Sequence, residues 1–373
     1  MSLQALNAPF AVSQPIKATL SVAVVSMMLA LVGCNKAETP EQTTQGETPA
    51  TETETTAAPA DSEQVVTIYS SRNEQLIKPL LDKYTEATGV KVELVTDKAG
   101  PLMERLKAEG DNTPADMLLT VDAGNLWQAA EQGLLQPVAS ETLNANVPAK
   151  YRDPEGQWTG LSLRARTIMY DPSKVDASEL STYADLADPK WKGKLCLRTS
   201  NAVYNQSLIA SMIENLGEEK TEQVVRGWVD NLATDVFSND TSMLEAIAAG
   251  QCQVGLSNSY YYGRILDEKP DFPVKIFWAN QDTTGTHVNI SGAGVVTGSD
   301  NPDGALKLME WLSSDEAQGL YASSDKEYPV KEGIDESEML RSWGEFKRDD
   351  ISVQKFGSLQ TQAIQLMDKA GYK

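Results

Sequence analysis

The chain has 373 residues, enough for two ordinary domains, and its hydrophobic content of 41% is that of a globular protein. A formal charge of −21 argues against a nucleic-acid partner, because neutralising phosphates takes clustered Lys and Arg. The acidity suits a soluble protein and is compatible with a cationic ligand, but locates no site for one.

The N-terminal part differs from the rest. Ala18 to Gly33 is an apolar run without a charged side chain, long for a signal-peptide core and short for a bilayer span. It ends in Leu31-Val32-Gly33-Cys34, which resembles the lipobox of bacterial lipoproteins, with Cys34 as the acylated first residue of the mature protein. An uncleaved membrane anchor is the alternative. Residues 35–64 are rich in Thr, Glu, Ala and Pro and contain no Val, Ile, Leu or aromatic side chain, the composition of a flexible acidic tether.

From Val65 the pattern alternates between strands and helices. Val65 to Tyr69 is a β-branched run, and Glu74 to Thr88 spaces Leu76, Ile77, Leu80, Leu81 and Tyr84 as one helix face stopped at Gly89. Strands over 90–95 and 116–120 alternate with helices over 102–109 and through 127–132. Such alternation predicts a parallel sheet covered by helices. A long extended segment at 160–171 leads to a second series: a strand over 194–198, helices near 204–215, 221–232 and 241–249, and a strand over 252–256. A second long extended run at 288–297 precedes helices at 305–312 and 352–370. Two α/β units joined by two crossover segments predict a hinged two-lobe protein: lobe 1 from 65–163 and 288–325, lobe 2 from 164–287, and a C-terminal helical segment over 326–373 packing on both. Ligands of open α/β sheets bind beyond the carboxyl ends of the strands, which puts the site in the cleft.

Beyond Cys34, Cys196 and Cys252 form an even pair on two short strand-like runs, readable as a disulfide in an oxidising compartment or as two buried thiols. Two Cys and one His make a zinc site improbable. No G-x-S-x-G, phosphate-binding Gly-rich loop or H-E-x-x-H is present, and His287 has no nucleophile near it in sequence, so no enzyme is expected. The anomaly is Tyr260-Tyr261-Tyr262, directly after the strand CQVGL and Ser257-Asn258-Ser259. Either one ring packs and two decorate the surface, or two adjacent phenols at a helix start converge on one hard cation.

Six passages resemble the ferric-ion-binding proteins of bacterial ABC transporters, members of the type II periplasmic binding protein superfamily. They are VTIYSSR at 66–72 with its preceding strand, TPADMLLTVDAGNLWQAAEQGLLQPV at 113–138, LRARTIMYDPSKV at 163–175, DLADPKWKGKLCLRTSNAVYNQSL at 185–208, NDTSMLEAIAAGQCQVGLSNSYYYGR at 239–264 and THVNISGAGV at 286–295. The resemblance implies the α/β two-lobe fold, and it implies Fe(III) ligation by Tyr260, Tyr261 and the distant Tyr204 of NAVYNQS, with Tyr69 and Tyr262 outside the ligand set. Where some relatives carry a His, or His-Tyr, this chain has Asn73 and Glu74, and where others carry a Glu it has Val121. It therefore fits the subgroup that completes the shell with a synergistic anion such as carbonate. Arg72 and Arg164 match cleft-facing positions for that anion, Arg166 shares a strand face with Arg164, and Asn239 and Asn258 are expected to support anion or tyrosines. Phenolate oxygen is a well-matched donor for a hard trivalent cation. The implied partners are an ABC permease and, through the lipid, a membrane of a Gram-negative bacterium; the implied state is a periplasmic monomer. A binding protein for an organic or phosphorylated anion without metal is the alternative, and a secreted hydrolase a more distant one.

Overall fold

The computed structural model describes residues 65–373. The lipobox, Cys34 and the tether over 35–64 lie outside the described residues. The strands are β1 (Val65–Ser70), β2 (Lys91–Thr96), β3 (Met117–Thr120), β4 (Thr159–Tyr170), β5 (Leu195–Cys196), β6 (Val254–Asn258), β7 (Lys275–Phe277) and β8 (Val288–Val295). Helices α1 (Glu74–Thr88), α2 (Ala99–Glu109), α3 (Ala123–Glu131) and α4 (Glu141–Asn146) precede β4. Helices α5 (Val203–Leu216), α6 (Glu218–Asp230), α7 (Asp240–Ala248) and α8 (Ser259–Glu268) follow it. The chain ends with α9 (Pro302–Leu312), α10 (Asp315–Leu320), α11 (Glu338–Ser342), α12 (Gln354–Ser358) and α13 (Gln360–Ala370). Among the described residues no helix is long and apolar enough to cross a membrane.

The strand order is β2-β1-β3-β8-β4-β6-β5, with β7 also on β4. β4 joins the two lobes, because its register changes partner along its length. Thr159 to Ala165 pair with β8, whereas Arg166 to Tyr170 pair with β6. The buried, β-rich run LRARTIMY therefore crosses from one half to the other without a turn. The expectation of a parallel sheet needs correction. β1 is parallel to β2 and β3, and β5 to β6, but every pairing of β4 and β8 is antiparallel, so the sheet is mixed. A crossover strand that leaves one half and a return strand that re-enters it run in opposite directions, and strand–helix alternation does not reveal them.

Local chemistry explains the element ends that matter. Asn73 caps α1 by accepting from the Gln75 amide at 3.0 Å, and Gly89 ends it in the left-handed conformation (φ 75°). Asp122 caps α3 through the Gly124 amide at 2.7 Å. Cys196 of β5 and Cys252, just before β6, are joined by a disulfide with Cα atoms 5.9 Å apart, in the usual range, beside the short parallel pair. The run over 352–370 is two helices rather than one, broken at Leu359.

These C-terminal helices bridge the molecule: α12 packs on both α3 and α5, and α13 on α5 and α6. Gly357 is what allows the close approach, since a Cβ there would collide with the Trp127 side chain of α3. Overpacking a tight helix contact costs about 1–3 kcal/mol. Gly357→Ala is therefore expected to lower the unfolding free energy by that amount, read as a lower urea midpoint, and an unchanged midpoint would show the contact to be loose.

Candidate metal centre

Tyr204 sits in the first turn of α5, and Tyr260 and Tyr261 in the first turn of α8. Neither helix has a side-chain cap at its N-terminus: Ala202 has no group to offer, and Asn258 makes no capping bond. Both N-termini therefore direct uncapped amides and the positive end of the helix dipole toward the tyrosines, which favours phenolate over phenol. The Tyr260 hydroxyl donates to that of Tyr204 at 3.2 Å, and the Tyr260 and Tyr261 rings are 4.3 Å apart.

Three guanidinium groups surround the cluster. Arg164 and Arg198 each lie 5.3 Å from the Tyr204 ring centre, and Arg264 lies 4.7 Å from that of Tyr260. Burial pushes the Tyr204 hydroxyl above the ordinary phenol value, opposed by Arg164 and reinforced by Tyr261. Tyr260 is pushed further up by burial and by its two tyrosine neighbours, again opposed by Arg164. Without a cation these phenols stay protonated at neutral pH; a strong Lewis acid is required to ionise them.

Tyr204 and Arg198 face a cleft of about 410 Å³, whose wall includes Ser71 and Val121 at the carboxyl ends of β1 and β3. Among the described residues no group of three or more His, Cys, Asp or Glu side chains is placed to hold a metal ion.

Residues 80–348 match the model of a family described as bacterial extracellular solute-binding protein. The chain belongs to that family. It is 45% identical over 317 residues to iron uptake protein A1 of Synechocystis, covering 83% of this chain and 88% of the relative. Among solved structures it resembles the Trichodesmium protein (IdiA, FutA) in complex with iron and citrate ligands, at 47% identity and a TM-score of 0.79, over 83% of this chain and all of that one. It also resembles the ferric binding protein of Campylobacter jejuni, at 35% identity and a TM-score of 0.79, with the same coverage of this chain and all of the other. The two-lobe fold and the family resemblance drawn from the six passages are thus borne out.

In this solute-binding protein several expected site residues have other partners. Arg72 is buried, with Nη2 on Asp325 at 2.6 Å and Nη1 on Glu327 at 3.0 Å and Ser291 at 2.8 Å. Arg166 places its guanidinium against both oxygens of Asp240 at 3.0 and 3.3 Å, and also donates to Asn205, Asn258 and the Leu256 carbonyl. Both guanidinium groups are thus engaged by carboxylates, with only the Nε of Arg72 left without a hydrogen-bond partner. Arg164 donates to Ser291 and the Ile290 carbonyl and approaches the site through the Tyr204 ring. Asn239 is a helix cap: its carbonyl accepts from the Ser242 amide at 2.8 Å and its amide donates to Ser238. Asn258 is buried beside the tyrosines and holds Arg166 at 3.2 Å, with its amide nitrogen unpaired.

Tyr69 donates to Glu109 and Tyr262 to the Val274 carbonyl, so both hydroxyls are spent on packing partners. Arg198 and Arg264 were missed. Arg264 follows Tyr260 and Tyr261 by four and three residues, the spacing of one helix face, and could have been found from it. Arg198, two residues past Cys196, gave no such signal. Its buried Nε and Nη1 have no hydrogen-bond acceptor, and Nη1 stands 3.6 Å from Asp240, the carboxylate already engaged by Arg166.

His287 is buried against Phe356, with ring centres 4.9 Å apart. Burial, then Arg166 and Arg164, push its pKa down to about 3 from the usual 6.5. It remains neutral in the folded protein while the unfolded chain takes up a proton. Its contribution to stability is complete above about pH 6.5 and is lost as pH falls toward 3. At about 1.4 kcal/mol per unit, this group alone removes roughly 3 kcal/mol between pH 6.5 and about 4.5. His287→Gln should flatten the acid limb of the stability curve by that order in chemical unfolding at a series of pH values. An unchanged slope would mean the imidazole is solvated.

Proposed function

We propose that this solute-binding protein captures ferric iron between its lobes with the phenolates of Tyr204, Tyr260 and Tyr261, and delivers it to an ABC permease. The observation that carries the reading is the convergence of phenols from the first turns of α5 and α8, with the Tyr204 and Tyr260 hydroxyls 3.2 Å apart. It is supported by the iron-related names of its relatives and by the iron bound in the Trichodesmium structure. Lobe 1 in this reading comprises 65–163 and 288–325, lobe 2 comprises 164–287, and residues 326–373 lie across both. The relatives are binding proteins, and capture with release makes and breaks only coordination bonds.

Fe(III) displaces the proton of each phenol, which is released to solvent, so the three phenolates together balance the charge of the ion. The helix dipoles and the surrounding guanidinium groups lower the cost of ionising buried phenols. Those same arginines leave positive charge unbalanced, since Asp240 is shared between Arg166 and Arg198. An anion such as carbonate compensates it, and the unpaired Nε and Nη1 of Arg198 are its recognition group, in place of Arg72 and Arg166. The protein acts as a periplasmic monomer, with a lipid on Cys34 and residues 35–64 tethering it to the membrane.

Adding a ferric salt with carbonate to the purified protein is expected to produce a visible tyrosinate-to-iron charge-transfer band. Tyr260→Phe should weaken binding by more than about a hundredfold, about 3 kcal/mol. The triple Tyr204, Tyr260 and Tyr261 to Phe variant should show no band. Absence of the band in the wild type, or its persistence in the triple variant, would overturn the reading. Metal-independent binding of carboxylate or phosphate compounds would then favour the anion alternative. Arg198→Gln should leave the band present but reduce the dependence of affinity on carbonate by about tenfold.

A further inference from the structure

The helix that carries Tyr204 is also tied to the other half of the molecule, through side chains outside the tyrosine cluster, of which Gln206 and Gln360 also line the cleft. Ser207, one turn after Tyr204 on α5, donates to Asp122 Oδ2 at 2.6 Å. Asp122 stands at the opposite side of the lobe boundary, between β3 and α3, where its other oxygen caps α3. The carboxylate is fully buried and also accepts from Asn289 of the return strand β8 at 2.6 Å. One buried carboxylate thus joins the first lobe, the crossover and the iron-binding helix.

A second bridge runs beside it. Gln128 of α3 donates to the Gln360 side chain at 2.6 Å, and Gln360 donates to Gln206 of α5 at 2.9 Å. Gln206 and Ser207 are consecutive, so two links leave adjacent positions of α5 for the same helix, α3. Gly124 allows this arrangement, because a Cβ there would press on both the Asp122 carboxylate, at 2.8 Å, and the Gln360 amide, at 3.3 Å.

Both links span the lobe boundary at the base of the turn that holds Tyr204. Moving α5 away from α3 breaks them together. It also uncovers a buried carboxylate whose other side-chain donor, Asn289, is on the hinge itself, so separation carries a penalty beyond one ordinary hydrogen bond.

We propose that the Asp122–Ser207 and Gln128–Gln360–Gln206 bridges form a closure latch that sets how fast bound iron is released, with Ser207 and Gln206 as positioning residues. The inference rests on the ferric reading above. It adds to that reading a kinetic determinant outside the coordination sphere. The latch acts on the opening step. It therefore changes the rate of release while leaving the ligand field of the iron unaltered.

The test compares wild type with Ser207→Ala, Gln206→Ala and the double variant, each loaded with ferric iron and carbonate. Iron release to an excess of competing chelator is followed by decay of the visible band. Release is expected to quicken by about tenfold in each single variant and further in the double, with the band position unchanged and the thermal midpoint of the iron-free protein near that of wild type. A release rate within twofold of wild type in the double variant would overturn the latch. So would a faster release accompanied by a shifted band, which would mean that the tyrosine ligands themselves had moved. A wild type with no band fails the ferric reading and the latch with it; a normal wild-type band with unchanged release fails the latch alone.

Discussion

Two helix N-termini aimed at one point are the constraint from which the site follows. α5 and α8 each begin directly at the cluster, and neither start is capped by a side chain. Their first turns supply Tyr204 on one side and Tyr260 and Tyr261 on the other. Burial and mutual proximity hold the Tyr204 and Tyr260 hydroxyls protonated, while uncapped amides and nearby arginines lower the barrier to ionisation. In the proposed site, only a small trivalent cation returns enough Coulomb energy to remove several phenol protons.

The arginines differ in how closely carboxylates hold them. Arg72 and Arg166 are buried in carboxylate pairs and serve to fix the crossover region; losing a partner would strand a charge in the interior. Arg164, Arg198 and Arg264 lie over tyrosine rings, and Arg164 and Arg198 also stand 3.9 Å from Glu327 and 3.6 Å from Asp240. Asp240 connects the groups, since it clamps Arg166 and helps orient Arg198. In the proposed ferric site, the positive charge of these arginines is the physical reason for proposing an accompanying anion.

Much of this was legible in the chain. Hydrophobic spacing located α1 and most later helices, and the position of Tyr260 and Tyr261 after a strand placed them at a helix start. Tyr204 came only through the family resemblance, because nothing in its own spacing links it to a tyrosine 56 residues later. The antiparallel crossover pairings were hidden, since strand–helix alternation says nothing about where a returning strand inserts. Arg166 was assigned to the anion from strand alternation, which gives the face of a residue but not whether a buried carboxylate such as Asp240 already occupies its guanidinium. Asn239 was misread for a related reason: an Asn before a helix is a cap first.

The central claim is that iron is held by three phenolates drawn from two helix starts. Its most direct test is a crystal of the iron-loaded protein measured on both sides of the iron absorption edge. A single anomalous peak within bonding distance of the Tyr204, Tyr260 and Tyr261 hydroxyl oxygens, with Arg198 facing a non-protein ligand, is the predicted result. A peak elsewhere, or one bonded to carboxylates with the three tyrosines turned away, would contradict the account.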